Sequence, residues 1–233
     1  MTTTLIACSH GTSDDAGRRA IQLLTSQVAR LVPGIRVEQA FVDVEQPAVD
    51  DVVATAVRRG TAVVVPLLLS TGFHVKVDIA RAVGRYPGRA VAADPLGPHP
   101  LITAVLEHRL ASSGVRDGDA IVLAAAGSSD PAATVAVQEV ARDLANKVGR
   151  HIDVGFAAGA GTPIEEAVAM ARERSTGRVI VASYVLAPGF FAGRIASCGA
   201  DIATEPLAPD VRVAGIVRSR FEASLATLNS AAA

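Results

Sequence analysis

The chain has 233 residues, half of them hydrophobic, with 22 basic and 23 acidic side chains and a net charge of −1. With no block of lysine or arginine and no tryptophan, neither a nucleic acid nor an anionic membrane surface is the expected partner, and a small molecule is. Apolar runs such as 62–69 and 179–187 fall far short of the ~20 residues that span a bilayer, and the first residues lack a signal-peptide pattern. A cytoplasmic protein is therefore expected. Cys8 and Cys198, with no pairing pattern, argue against a disulfide framework or a cysteine zinc site.

In chain order, residues 4–8 read as a strand and 15–31 as a helix. A strand follows at 37–42, a helix at 47–59, a strand at 62–69, a helix at 75–83, a strand at 90–93 and a helix at 100–110. The strands are rich in β-branched residues and nearly continuous in apolar character, as expected of strands covered on both faces. Pro47 and Pro100 suit a first helical turn. Residues 112–119 form a polar joint, after which strands recur at 120–125, 152–156, 178–185 and 201–204, and the final residues 230–233 are expected to fray. Strand alternating with helix predicts an α/β protein built on parallel sheets flanked by helices.

The chain is also written twice. His10-Gly11-Thr12-Ser13-Asp14 answers to Ala126-Gly127-Ser128-Ser129-Asp130, Gly72-Phe73-His74 to Gly189-Phe190-Phe191, and Asp94-Pro95-Leu96-Gly97-Pro98 to Glu205-Pro206-Leu207-Ala208-Pro209, at offsets of about 110 to 117 positions. Two tandem, pseudo-symmetric domains follow, 1–115 and 116–233. Glycines and prolines are kept because the backbone needs them. Two histidines are not kept: His10 becomes Ala126 and His74 becomes Phe191. A purely structural role would be needed in both copies, so the pair points to a site in the first.

Parallel α/β sheets bind ligands beyond the carboxyl ends of their strands. His10 follows the first strand, Asp43 ends the second and His74 follows the third, which brings them to one sheet edge, with the second domain expected to supply a facing wall. Two neutral imidazoles suit a borderline divalent metal such as Co²⁺, Fe²⁺ or Ni²⁺, and equally suit accepting protons near neutral pH. The working carboxylate is Asp43 or, two residues on, Glu45; the counterpart of Asp43 in the second copy falls on Ala158 or Gly159. Cys8 reads as a small buried apolar residue rather than a ligand, and His99, His108 and His151 have no convergent partners. The glycines at 155, 159 and 161 lack the spacing of a nucleotide-binding loop.

The segments Ser9-His10-Gly11-Thr12, Phe41-Val42-Asp43 with Pro47, the run from Pro66 to Ile79 around His74, and Pro95-Leu96-Gly97-Pro98 closely resemble the sirohydrochlorin chelatases of the class II chelatase group. The likeness covers nearly the whole chain. It implies a lyase that inserts Co²⁺ or Fe²⁺ into the tetrapyrrole sirohydrochlorin, on the way to siroheme or cobalamin, without ATP or an organic cofactor. Carried over by position, His10 and His74 would be metal ligands and catalytic groups. Asp43 would be the acidic residue, standing where the family usually has Glu. The substrate's carboxylates call for a basic rim, for which Lys76, Arg81, Arg18 and Arg194 lie near the right loops. Phe73, Phe190 and Phe191 would support the macrocycle or be packed in the core. A monomer is expected, and a dimer is compatible.

Two rival readings have the same residues. A metal or tetrapyrrole carrier would use the histidines without turnover. A histidine phosphatase also begins with a strand and His-Gly-Thr, but needs an arginine before the histidine to hold phosphate, and here Ser9 stands in that place.

Overall fold

The computed structural model describes residues 2–72 and 74–231, with the backbone alone at 74–76 and 231. The first half runs β1 (Thr2–Ser9), α1 (Asp15–Leu31), β2 (Arg36–Phe41), α2 (Val49–Arg59), β3 (Gly60–Pro66), a π-helical turn His74–Ile79 that leads into α3 (Ala80–Gly84), β4 (Ala90–Ala92) and α4 (Pro100–Ser112). The second runs β5 (Ala120–Ala125), α5 (Pro131–Val148), β6 (Ile152–Phe156), α6 (Ile164–Arg174), β7 (Val179–Tyr184), α7 (Phe190–Ala196), β8 (Ile202–Ala203) and α8 (Val211–Ala231).

Local chemistry sets the helix ends. Asp14 accepts a hydrogen bond from the Gly17 N–H at 2.8 Å and so starts α1; Asp130 does the same for α5 through the Ala132 N–H at 3.0 Å. His99 caps α4, its Nδ1 accepting from the Leu101 N–H at 3.1 Å, with Pro100 in the first turn. Several elements differ from the sequence expectation, among them the helix expected at 75–83, which is a π-helical turn leading into a short α3. α2 starts at Val49 rather than Pro47, because the Pro47 carbonyl still accepts the Phe41 N–H at 3.0 Å and Ala48 is extended. β3 stops at Pro66, which has no N–H to donate, and the chain leaves the sheet after Leu67 donates to the Cys8 carbonyl.

Two four-stranded parallel sheets result, ordered β2-β1-β3-β4 and β6-β5-β7-β8. The central strands are buried almost throughout, as their continuous apolar sequences require. Ile6, Cys8 and Val64 pack against Val49, Val53 and Ala56 of α2, Ile79 of the π-helical turn and Ala82 of α3. Leu5, Ala7, Val63 and Val65 alternate to the opposite face, which α1 and α8 cover. In the second sheet Val122, Ala124 and Val181 meet Ile164, Val168 and Ala171 of α6 and Ile195 of α7. There, α4 and α5 cover the other face.

The compact units are therefore not the two halves of the sequence. One comprises residues 1–96 and 209–233, the other 97–208. The duplication turns over near 115/116, yet packing divides at 96/97 and 208/209, because α4 covers β7 and α5 while α8 covers α1, β3 and β4. Each half lends its closing helix to the other half's sheet. Val213, Ile216, Val217 and Phe221 form the buried stripe of α8, and Ile102, Val105, Leu106 and Leu110 that of α4.

The joint at 112–119 is pinned rather than loose. Buried Asp119 accepts from the Arg116 N–H at 2.9 Å and the Arg178 N–H at 2.9 Å, and takes the Arg178 guanidinium at 2.6 Å. The Arg150 guanidinium donates to the carbonyls of Arg116, Asp117 and Asp119. The terminal residues 232 and 233, expected to fray, lie outside the described residues. Among the described residues no helix is long and apolar enough to cross a membrane.

Candidate active site at the carboxyl ends of the first sheet

Register brings three strand ends level. Ser9 pairs with Phe41 and Cys8 with Pro66, so β2, β1 and β3 finish side by side with β1 in the middle. The β1–β2 ladder then runs two residues beyond the sheet: Val42 N–H donates to Ser9 O and Asp43 N–H to His10 O, both at 3.1 Å. His10 and Asp43 are thus joined through their main chains. His74 opens the π-helical turn after β3. Its side chain, with that of Lys76 and the whole of Phe73, lies outside the described residues.

The His10 imidazole is exposed, with Nδ1 3.3 Å from the Gly11 carbonyl. When Nδ1–H donates to that carbonyl, Nε2 carries the lone pair, the form that binds a metal or takes a proton. Gly11 has φ 93°, and a Cβ there would press on Glu45 N at 3.0 Å and Asp43 O at 3.3 Å. The loops after β1 and β2 can touch only because this residue has no side chain.

Asp43 and Glu45, alternatives in the sequence, have different surroundings. Asp43 is exposed, and its carboxylate has no hydrogen-bond partner among the described residues. The half-buried Glu45 instead accepts the Thr12 N–H through Oε1 at 2.8 Å and meets Arg18 Nε through Oε2 at 3.2 Å. Val44 between them holds φ 28°, a left-handed conformation that a β-branched residue rarely adopts.

The remaining candidates have the following places. Arg18 also bonds the Thr12 carbonyl at 3.0 Å and Asp15 at 3.3 Å. Arg81 pairs with Asp50 at 3.0 Å and Asp78 at 3.5 Å, and Arg85 shares Asp50 at 2.9 Å. Arg194 pairs with Glu165 at 3.1 Å; a backbone hydrogen bond within Glu165 itself, and after it the Arg194 guanidinium, holds that carboxyl below its ordinary pKa. All three arginines already have carboxylate partners, so any of them would take a substrate carboxylate only by sharing or exchanging one. Phe190 and Phe191 are not core residues: they are 74% and 40% exposed and stack edge to face at 5.3 Å. Cys8 is buried in the core; burial, and after it the charge of Asp78, pushes its thiol up to about 12, so it stays protonated. His151 pairs with Asp153 at 3.1 Å, away from the strand ends. Among the described residues no group of three or more His, Cys, Asp or Glu side chains is placed to hold a metal ion.

The second copy repeats the backbone of this site without its chemistry. Ala157 N–H donates to Ala125 O and Ala158 N–H to Ala126 O, both at 2.9 Å, as Val42 and Asp43 do to Ser9 and His10. Gly127 has φ 90° and Gly159 φ 77°, matching Gly11 and Val44, and Ser128 Oγ accepts from Asp130 N–H as Thr12 Oγ1 does from Asp14 N–H. This equivalence makes Ala158, not Gly159, the counterpart of Asp43. His10 and Asp43 are replaced in this frame by Ala126 and Ala158, and His74, which opens a π-helical turn, answers in sequence to Phe191 of α7.

The CbiX family profile matches the chain twice, over residues 4–113 and 120–224, one match to each half of the duplication. A sirohydrochlorin ferrochelatase of Priestia megaterium is 27% identical over 168 residues, covering 68% of this chain and 63% of the relative. A sirohydrochlorin cobaltochelatase of the same organism is 26% identical over 199 residues, covering 80% of this chain and 65% of the relative. The chain thus spans just under two thirds of the length of these two relatives. Among solved structures, SirB from Bacillus subtilis with Fe³⁺ superposes with a TM-score of 0.83 at 20% identity, covering 99% of this chain and 98% of that one. CbiX, the terminal enzyme for biosynthesis of siroheme in denitrifying bacteria, superposes with a TM-score of 0.67 at 19% identity, covering 95% of this chain and 99% of that one. At such identities the structures speak for the fold, a two-domain α/β architecture of the class II chelatase kind. With its profile found once in each half and spanning nearly the whole sequence, the chain belongs to the CbiX family.

Proposed function

We propose that this protein is a sirohydrochlorin chelatase, inserting Co²⁺ or Fe²⁺ into sirohydrochlorin without ATP or an organic cofactor, in siroheme or cobalamin biosynthesis in the cytoplasm. The observation that carries the reading is the asymmetry between two matched backbone frames: the first holds His10 and Asp43 at adjoining strand ends, the second Ala126 and Ala158, while His74 answers in sequence to Phe191. The names of the family's relatives supply the substrate and the two metals.

Insertion requires the ion to shed water and two pyrrole protons to leave. His10, exposed and able to present Nε2, would take one or both tasks as ligand and proton acceptor, with His74 as its partner. Asp43, next to His10 through the main chain and with an uncommitted carboxylate, would orient an imidazole or carry protons to solvent. Lys76, Arg81 and Arg194 are retained as candidates for the substrate's carboxylates, whereas Arg18 is held between Glu45 and the Thr12 carbonyl. The two-domain division at 115/116, with the histidines in the first domain, describes the duplication and its chemistry.

Anaerobic incubation with sirohydrochlorin and Co²⁺ or Fe²⁺, followed by absorbance, tests the proposal. Catalytic turnover of both metals is expected, because two nitrogen ligands and one carboxylate impose no strong geometric filter. Binding that stops at one equivalent would identify a carrier, and no spectral change would overturn the assignment.

A further inference from the structure

We propose that Glu45 and Arg18 form a clamp that positions His10 against Asp43, acting through the backbone rather than on substrate; the inference rests on the metal-insertion reading above. Glu45 lies two residues beyond Asp43, and Thr12 two residues beyond His10. The Glu45 carboxylate spans the two loops, accepting the Thr12 N–H at 2.8 Å through Oε1 and meeting Arg18 Nε at 3.2 Å through Oε2. Arg18 closes the ring by donating to the Thr12 carbonyl at 3.0 Å. Both backbone polar groups of Thr12 are thus tied, one to each clamp residue. The same stretch holds Val44 at φ 28°, a conformation that persists where the surroundings over-determine it.

The second copy shows that the fold does not need this clamp. Aligned by the shared hydrogen bonds, Glu45 corresponds to Ala160 and Arg18 to Thr134. The two loops there stay joined through the main-chain bonds of Ala157 and Ala158, around the same glycine at positive φ. The clamp is present in the copy that has His10 and Asp43 and missing from the copy that has lost them. Its role follows the chemistry. A small misplacement of reacting groups costs large factors in rate, which is the reason to hold the loop bearing His10 more tightly than folding demands.

The test compares Glu45→Gln, Glu45→Ala and Arg18→Gln in the full chain, by cobalt insertion into sirohydrochlorin, amide hydrogen exchange of the segment containing Thr12, and thermal unfolding. Glu45→Ala is expected to lower kcat by about tenfold or more while KM for the tetrapyrrole moves by less than about twofold, and to speed exchange at Thr12. Glu45→Gln, whose amide oxygen still accepts from the Thr12 N–H, should recover most of the rate, and Arg18→Gln should fall between. If Glu45→Gln is as inactive as Glu45→Ala at equal melting temperature, the carboxylate takes part in the chemistry and the clamp is overturned. A rise in KM at unchanged kcat in Arg18→Gln would make Arg18 a substrate contact and overturn it too. Should the wild-type protein insert no metal, the functional reading fails on its own. The exchange measurement still decides the clamp, since unchanged protection of Thr12 in Glu45→Ala would refute it.

Discussion

The His10 side chain is exposed and fills no core position, so removing it leaves no cavity. His10→Ala and His74→Ala are each expected to reduce metal insertion by more than about tenfold, the usual scale for losing a positioned proton acceptor, with His10→Ala unfolding at the wild-type temperature. Near-normal turnover in either would remove the histidine pair from the mechanism. Phe191→His, introduced into a protein lacking His10 and His74, should restore nothing, because Ala126 and Ala158 leave the new imidazole without a partner; regained activity would contradict the asymmetry between the copies. At this scale the candidate pair is legible in sequence, as two histidines lost at matched places in the second copy. The difference between Asp43 and Glu45 was not, since two carboxylates two residues apart look alike until Thr12 and Arg18 are seen to engage one of them. A signal existed, in that positions 18 and 45 are charged only in the first copy.

Among the elements, the joint before β5 shows how one carboxylate fixes several segments. Hydrogen bonding from the Arg178 side chain, with lesser help from the Arg178 and Arg116 N–H groups, holds the Asp119 carboxyl well below the usual carboxylate range against the opposing effect of burial. Its folded pKa is lower than its unfolded one, so its contribution to stability is fully present above the ordinary value near ~3.9 and is lost as pH falls through the depressed folded value. Asp119→Asn is expected to lower the melting temperature by several degrees at neutral pH and to flatten the loss of stability below about pH 4; urea titrations across that range measure both. An acid limb as steep as the wild type's would assign it to other carboxylates. The strands and most helix starts could be read from composition and from Asp14, Asp130 and Pro100. The start of α2 could not, because Pro47 suits a first turn equally well, and only the Phe41 N–H bonded to its carbonyl shows that the chain is still extended there.

For the whole molecule, the least legible feature was which sheet each closing helix covers. The apolar stripe of α4 says that one face must be buried and is silent about where. The consequence can be measured. Residues 97–208 form one compact unit from an uninterrupted stretch of chain, whereas the other unit needs both 1–96 and 209–233. A fragment of 97–208 is expected to be soluble and to unfold cooperatively. A fragment of 1–115 would lack α8 over β3 and β4 while carrying an orphaned α4, so aggregation or weak, non-cooperative melting is expected of it by circular dichroism. The reverse outcome would mean that the helix exchange adds little to either unit.

The exchange also sets a timetable for synthesis. As the chain leaves the ribosome, residues 1–96 emerge before 97–208, yet their sheet waits with one face short of a helix until α8 follows. The unit made second already has all its parts by residue 208 and can close while the first is still open. The lobe bearing His10 and Asp43 begins first and finishes last. Premature termination within 209–233 would therefore spare the unit that lacks these two residues and strike the one that carries them.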